Sequence, residues 1–313
     1  FNDLDVGKKV LEKYPQMKVA AKMENHARHN GVHAAGIIIT EEPVSKYCSV
    51  SLQTGAAQID KKDAEDLNLL KIDALGLRTL SVLQDILEQV DWSRDKLINF
   101  PLEDEGAFKV LNDEKYAGIF QFEGYALQSL TRQMKVHNFE DIASITALAR
   151  PGPLTSGGTT QYIKRRTGEK PAEYLHPMTE EITKVTYGVV VYQEQVMTIA
   201  RDVGKLSWED VSQLRKAMSK SYGEEFFDRY WQRFKVGAKE NGIEEDEAEN
   251  IWKNINTMGS WAFNRSHAIA YGLVSYWCCV LKSRFPLEFA AACLRNVKDD
   301  DQGVRLLREV ARE

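Results

Sequence analysis

A chain of 313 residues is long enough for one large or two ordinary domains. With 43% hydrophobic and 28% charged residues it has the balance of an ordinary globular protein, which excludes a disordered, collagen-like or membrane-embedded chain. Lys and Arg number 41 against 46 Asp and Glu, a net charge of -5. That excludes a uniformly basic nucleic-acid binder but not a basic face on an acidic body.

Residues 1–30 are polar with a helical pattern that ends near Asn30-Gly31. The opening FNDLDVGKKV has no apolar core and is no signal peptide. Ala35–Thr40 is a β-branched run suited to a buried strand, and short strands are expected at 48–52 and 56–59. Leu69–Asp73, LLKID, reads as a further strand in which Lys71 and Asp73 alternate with apolar residues and share a face. Gly76 breaks the pattern. From Leu77 the apolar residues recur at helical spacing, and the remainder is mostly helix. Two exceptions are expected: a rigid loop at Arg150-Pro-Gly-Pro and an extended run Tyr187–Tyr192, YGVVVY. Ser207-Trp-Glu-Asp fits a capping box opening a helix through Leu214–Met218. The most apolar stretch, Ala268–Leu281, has 14 residues, too few to cross a bilayer, and reads as a buried helix; no membrane partner is expected. The last residues, VRLLREVARE, continue an amphipathic helix with no stop signal, and the chain reads as an internal piece of a longer protein.

The four cysteines, Cys48, Cys278, Cys279 and Cys293, form no Cys-x-x-Cys pair and are too few for a disulfide scaffold, so a reducing cytoplasm is the expected setting. There is no Gly-x-Ser-x-Gly elbow, no Gly-x-x-x-x-Gly-Lys phosphate loop and no His-Glu-x-x-His. His26, His29 and His33 have the spacing of a metal-binding helix face, but Asn30-Gly31 interrupts that helix, and solvated histidines are the competing reading. Asp73 at a strand end either holds Mg²⁺ or caps a turn, and Lys71 beside it is suited to phosphate. Arg150 on its rigid turn is either a fixed phosphate ligand or a tie between helices. Three basic sets stand out: Lys164, Arg165, Arg166 and Lys170; Arg215, Lys216 and Lys220; and Asn264-Arg265 with His267. Each reads either as a solvated face or as part of a polyanion surface.

The strings GVHAAGIIIT, QIDKKDAEDLNLLKIDALGLRTL, GIFQFEG, ALARPGPL, YGVVVYQEQVM, LRKAMSK and FNRSHAIAYGLVSY occur in this order between about Met17 and Arg295. Together they resemble the C-family replicative DNA polymerases, the bacterial DNA polymerase III alpha subunits, with a phage-borne relative as a variant. The resemblance implies an α+β chain: 1–30 the end of the thumb, 31–75 the second part of a nucleotidyltransferase-type palm with a mixed sheet, and 76–313 largely helical fingers.

It also implies a function. Family members extend a primer with deoxynucleoside triphosphates on a DNA template, using two Mg²⁺ ions held by three palm aspartates. The third of these matches Asp73, the expected catalytic and metal-binding residue. Lys71 matches the palm lysine that faces the triphosphate, and Arg215 and Lys216 the basic pair of a fingers helix, where the family often has two arginines. Arg150, Asn264, Arg265 and His267 fall in motifs lining the nucleotide cleft. Lys164, Arg165, Arg166 and Lys220 are the expected DNA contacts. The Pro-Asp-x-Asp-x-Asp motif carrying the other two aspartates is not in this chain, and neither are the family's phosphoesterase-like, clamp-binding and oligonucleotide-binding regions. The chain alone is therefore expected to be inactive. Its expected partners are primer–template DNA, dNTPs and, through regions outside it, the sliding clamp and other replisome subunits at the cytoplasmic nucleoid. The competing readings are a non-catalytic nucleic-acid- or nucleotide-binding module, or one chain of a split polymerase.

Overall fold

The computed structural model describes residues 5–23, 26, 31–33, 35–74, 76–220, 224–259, 261–297 and 300–311; the side chains of 5–8, 20, 21, 23, 219, 220 and 224–228 fall outside that description. The chain divides into two compact units, Phe1–Gly76 and Leu77–Glu313. The change from α/β to helical character after Gly76 is thus a boundary between units.

The first unit carries α1 (Asp5–Lys13), a 3-10 segment Pro15–Met23, β1 (Gly36–Ile39), α2 (Lys61–Asp66) and β2 (Leu70–Asp73). The single helix expected across 1–30 is broken at Pro15, which has no N–H to donate and disfavours helix at the residue before it. Asn30, the expected end, lies outside the described residues. β1 and β2 pair antiparallel, with Gly36 opposite Asp73, Ile37 opposite Ile72, Ile38 opposite Lys71 and Ile39 opposite Leu70. The described ladder is antiparallel throughout, and the runs at 48–52 and 56–59 meet only at a Val50–Ala57 bridge. Because side chains alternate, one face of this ribbon carries Ile37, Ile39, Leu70 and Ile72, all exposed, and the other carries Lys71 and Asp73. Among the described residues Ala64 is the one buried apolar side chain of this unit.

The second unit is helical: α3 (Arg78–Val90), α4 (Arg94–Ile98), α5 (Glu105–Asn112), α6 (Tyr125–Met134), α7 (Phe139–Leu148), α8 (Pro151–Thr155), α9 (Gly158–Arg166), α10 (Pro177–Thr183), α11 (Gln193–Asp202), α12 (Trp208–Lys220), α13 (Glu224–Glu240), α14 (Glu245–Gly259), α15 (Arg265–Arg284), α16 (Pro286–Arg295) and α17 (Asp300–Val310). It has two apolar cores. One gathers α3, α5, α7, α15 and α16; the other gathers α11 to α14 around Phe234 and Trp252. α15 packs along α5 and α7 and contains the 268–281 run, which is a buried helix as its composition requires. Among the described residues no helix is long and apolar enough to cross a membrane.

Two expectations change. The Arg150-Pro-Gly-Pro loop is the start of α8, with Pro151 at the first helical position, where its missing N–H is not needed. Val189–Val191 is fully buried but forms no strand: the following Tyr192 makes one parallel bridge with Phe263, and the Gln195 side-chain oxygen accepts from the Val191 and Tyr192 N–H groups at 2.9 and 3.0 Å. A glutamine side chain there does what a neighbouring strand does elsewhere. Ser207 caps α12 as expected, accepting from the Asp210 N–H at 3.1 Å, while the Asp210 carboxylate turns to Arg233 at 2.6 Å.

Candidate active site

In the first unit, strand alternation brings Lys71 and Asp73 to one face, with Lys71 Nζ 3.1 Å from Asp73 Oδ1. The Asp73 carboxylate is open to solvent, and His33 Nδ1 stands 4.0 Å from it while accepting the Ala35 N–H at 3.2 Å. Gly36, opposite Asp73, makes room for both neighbours: a Cβ there would fall 2.9 Å from His33 Nδ1 and 2.9 Å from Lys71 Cε. His26 is exposed and His29 lies outside the described residues, and no three metal-ligating side chains converge among those described.

In the second unit a column of stacked groups runs along the start of α15. The Arg150 guanidinium lies 4.0 Å over the Phe263 ring. Phe263 meets His267 edge-on at 5.4 Å, and His267 stacks on Tyr271 at 4.1 Å. Gly152 fixes this arrangement, since a Cβ there would fall 2.7 Å from Trp261 Cβ and push the Arg150 turn off the segment bearing Phe263. Arg150 has no carboxylate partner among the described residues. Burial alone lowers its pKa, and burial followed by the Arg150 charge lowers that of His267.

Asn264 and Arg265 play different parts from His267. Asn264 caps α15, accepting the His267 N–H at 2.8 Å, and donates to Glu194 Oε1 at 3.1 Å. The other Glu194 oxygen accepts the Arg265 N–H at 2.9 Å. The Arg265 guanidinium donates to Glu140 Oε1 at 3.0 Å and lies 5.6 Å over the Tyr192 ring. Its charge is thus already matched, whereas that of Arg150 is not.

Arg215 and Lys216 project from α12 into solvent, opposite the buried Leu214, Ala217 and Met218, and neither has an ion-pair partner among the described residues. The other basic run splits. Lys164 is on the surface, paired with Glu169 at 3.0 Å. Arg165 points inward, donating to the Glu173 and Tyr187 carbonyls at 2.8 and 3.1 Å and to the Glu173 carboxylate at 2.9 Å. Arg166 makes a two-pronged pair with buried Asp141 at 2.8 and 2.7 Å. These two arginines tie the fold and leave few donors for DNA, a direction that a run of charges in sequence does not reveal. The Lys220 side chain lies outside the described residues.

A family model for the bacterial DNA polymerase III alpha subunit finger domain matches residues 78–242, and one for the bacterial DNA polymerase III alpha NTPase domain matches residues 4–76. The chain belongs to the bacterial DNA polymerase III alpha subunit family. Among its relatives, DNA polymerase III subunit alpha of Aquifex aeolicus is 36% identical over 312 residues, covering 96% of this chain and 27% of that protein. The Staphylococcus aureus (strain COL) subunit is 38% identical over 302 residues, 94% of this chain and 28% of that protein. The Halalkalibacterium halodurans subunit is 35% identical over 306 residues, 95% and 27%. The chain therefore spans just over a quarter of the length of these alpha subunits.

Sequence reading missed the groups that hold Asn264 and Arg265 in place. Glu194 and Glu140 reach Asn264 and Arg265 from 70 and 125 residues away in sequence, and no spacing rule links them. Phe263 begins the FNRSHA string, and its aromatic ring beside three polar residues was the available signal.

Proposed function

We propose that the chain is the palm-and-fingers portion of a replicative DNA-directed DNA polymerase, with 1–30 the end of the thumb, 31–75 the second part of the palm and 76–313 the fingers. It works on primer–template DNA and dNTPs in the cytoplasm, at the nucleoid, with the sliding clamp and other replisome subunits engaged by regions outside these residues. In the reaction, the primer 3′ hydroxyl gives up its proton to solvent, its oxygen bonds to the α-phosphorus of the dNTP, and the bond from that phosphorus to pyrophosphate breaks. The observation that carries this reading is the Asp73 carboxylate, open to solvent on the ribbon face it shares with Lys71, within the segment that matches the family's NTPase-domain model.

The described residues do not by themselves fit a magnesium site, since one carboxylate with an ammonium 3.1 Å away cannot hold two divalent ions. Asp73 is proposed as one ligand of a two-Mg²⁺ set completed by carboxylates of another segment or chain, and no step is derived through the metals. Lys71, Arg215 and Lys216 bind the triphosphate as cations. Arg150 joins them, because Phe263 orients its guanidinium and no carboxylate among the described residues pairs with it, a geometry suited to two-pronged phosphate binding. Arg265 and Asn264 shape the cleft through Glu140 and Glu194, and His267 presents a neutral imidazole to it. Lys164 and Lys220 are left as the DNA contacts of the basic runs.

The test is primer extension. Residues 1–313 alone should incorporate no nucleotide above background, and the complete polymerase should lose extension when Asp73 is replaced by Asn. Template-dependent extension by 1–313 alone would refute the one-carboxylate assignment. In the second reading, a split polymerase, a separate chain bearing the other carboxylates restores extension when mixed with this one.

A further inference from the structure

α12 begins with an indole that nothing in the core uses. Trp208 is 64% exposed, against a second core that buries Phe234, Trp252 and their neighbours almost completely. One face of its ring is covered by Arg201 of α11, whose guanidinium lies 4.9 Å away. Arg201 is itself held by Asp202, with which it makes two hydrogen bonds, Nη2 to Oδ2 at 2.8 Å and Nε to Oδ1. The pair fixes the cation over the ring and so fixes the ring.

The rest of the same helix face supplies charge. Arg215 follows Trp208 by seven residues, two helical turns, which places it on nearly the same line about 10 Å further along the axis. Ser212 lies between them and Lys216 beside them, and all are exposed. Glu209 is the acid on the neighbouring line, and it faces a cavity of about 460 Å³ that it shares with Asp210, Arg229 and Arg233. With the Arg201 charge matched by Asp202, the exposed stripe therefore offers, in order, an aromatic face, a hydroxyl and two cations.

We propose that Trp208, backed by Arg201, is a stacking platform for a base of single-stranded DNA whose phosphates run toward Arg215 and Lys216. The chemistry is that of sequence-tolerant strand binding, in which an aromatic face takes a base and nearby cations take the backbone. A protein partner of ordinary interface type would meet an apolar patch around the indole, and here its neighbours are charged or hydroxylic. The inference rests on the polymerase reading, since it makes α12 a strand-binding as well as a nucleotide-binding helix.

The full chain is titrated with oligo(dT) and with a blunt duplex of equal length at one fixed salt concentration, as wild type, Trp208→Phe and Trp208→Ala. Stacking of one base predicts a roughly 5- to 150-fold loss of oligo(dT) affinity for Trp208→Ala, near-normal affinity for Trp208→Phe, and less than about threefold change on duplex. Oligo(dT) should also quench a tryptophan signal in wild type that is missing from Trp208→Phe. Equal losses on both DNAs, or no loss on oligo(dT), would overturn the platform while leaving the polymerase reading intact. A chain that binds neither DNA at low salt would overturn both.

Discussion

Lys71 Nζ sits 3.1 Å from Asp73 Oδ1 on the polar face of the β1–β2 ribbon, with the two side chains 20% and 47% exposed. A pair so open to water contributes only about 0–1 kcal/mol to folding. In the complete polymerase, Asp73→Asn keeps shape but removes the proposed metal-ligating charge. It should lower kcat by roughly 10³-fold or more while leaving the unfolding midpoint and DNA affinity nearly unchanged. Near-normal kcat in a steady-state assay would take Asp73 out of the reaction.

The fingers pair should act on the nucleotide. Arg215 and Lys216 are adjacent on α12 and so point about 100° apart, yet a triphosphate lying across the helix spans both. Charge-assisted contacts of about 1.5–3 kcal/mol predict a roughly 10- to 150-fold fall in kcat/KM for dNTP with Arg215→Ala. The fall should be smaller for Lys216→Ala, since an ammonium binds as a point charge. Nucleotide titration beside blunt-duplex binding separates the outcomes, because a loss confined to duplex Kd and its salt slope would assign the pair to the duplex.

His267 titrates below its ordinary value of 6.5 because burial and then the Arg150 charge oppose protonation. The unfolded chain therefore takes up a proton before the folded one. Stability from this residue is fully present above the ordinary histidine pKa and falls as pH drops through that value, levelling once the folded form is protonated. Removing the cation with Arg150→Ala should raise the His267 pKa, read directly from its imidazole resonances by NMR titration, and an unmoved pKa would show that Arg150 does not act on it.

Arg166 and Asp141 are 14% and 2% exposed and share two hydrogen bonds, and Asp141 Oδ2 also accepts the His137 N–H at 2.9 Å. Asp141→Ala would leave a half-buried guanidinium and a backbone donor without partners. A loss of about 3–5 kcal/mol is expected in denaturant unfolding, far more than any exposed pair here would give. A loss under about 1 kcal/mol would show that water replaces the carboxylate.

Short-range features were legible where one periodicity dominates. The alternation of LLKID placed Lys71 and Asp73 on one face, and the unbroken apolarity of 268–281 marked α15. YGVVVY looked like a strand because a segment buried on every side has a strand's composition, while its actual hydrogen-bond partner is a glutamine side chain three or four residues on. Arg165 and Arg166 read in sequence as part of one basic run because charge is visible there and direction is not. The acceptors that turn them inward belong to other elements, Asp141 of α7 and the chain at Glu173 and Tyr187.

The four-residue ladder of β1 and β2 has a consequence for how its carboxylate can be lost. Both faces of the ribbon are partly wet, so burial does little to choose between its present pairing and one shifted by a single residue. A shift would exchange the faces and send Asp73 to the side of Ile37 and Ile39. Steric fit opposes it: Gly36 opposite Asp73 is where the Lys71 stem and the His33 ring find space. With Asp73 in its proposed role, activity can therefore be lost through residues that never approach a nucleotide, by a change of pairing that leaves the Asp73 carboxylate chemically intact.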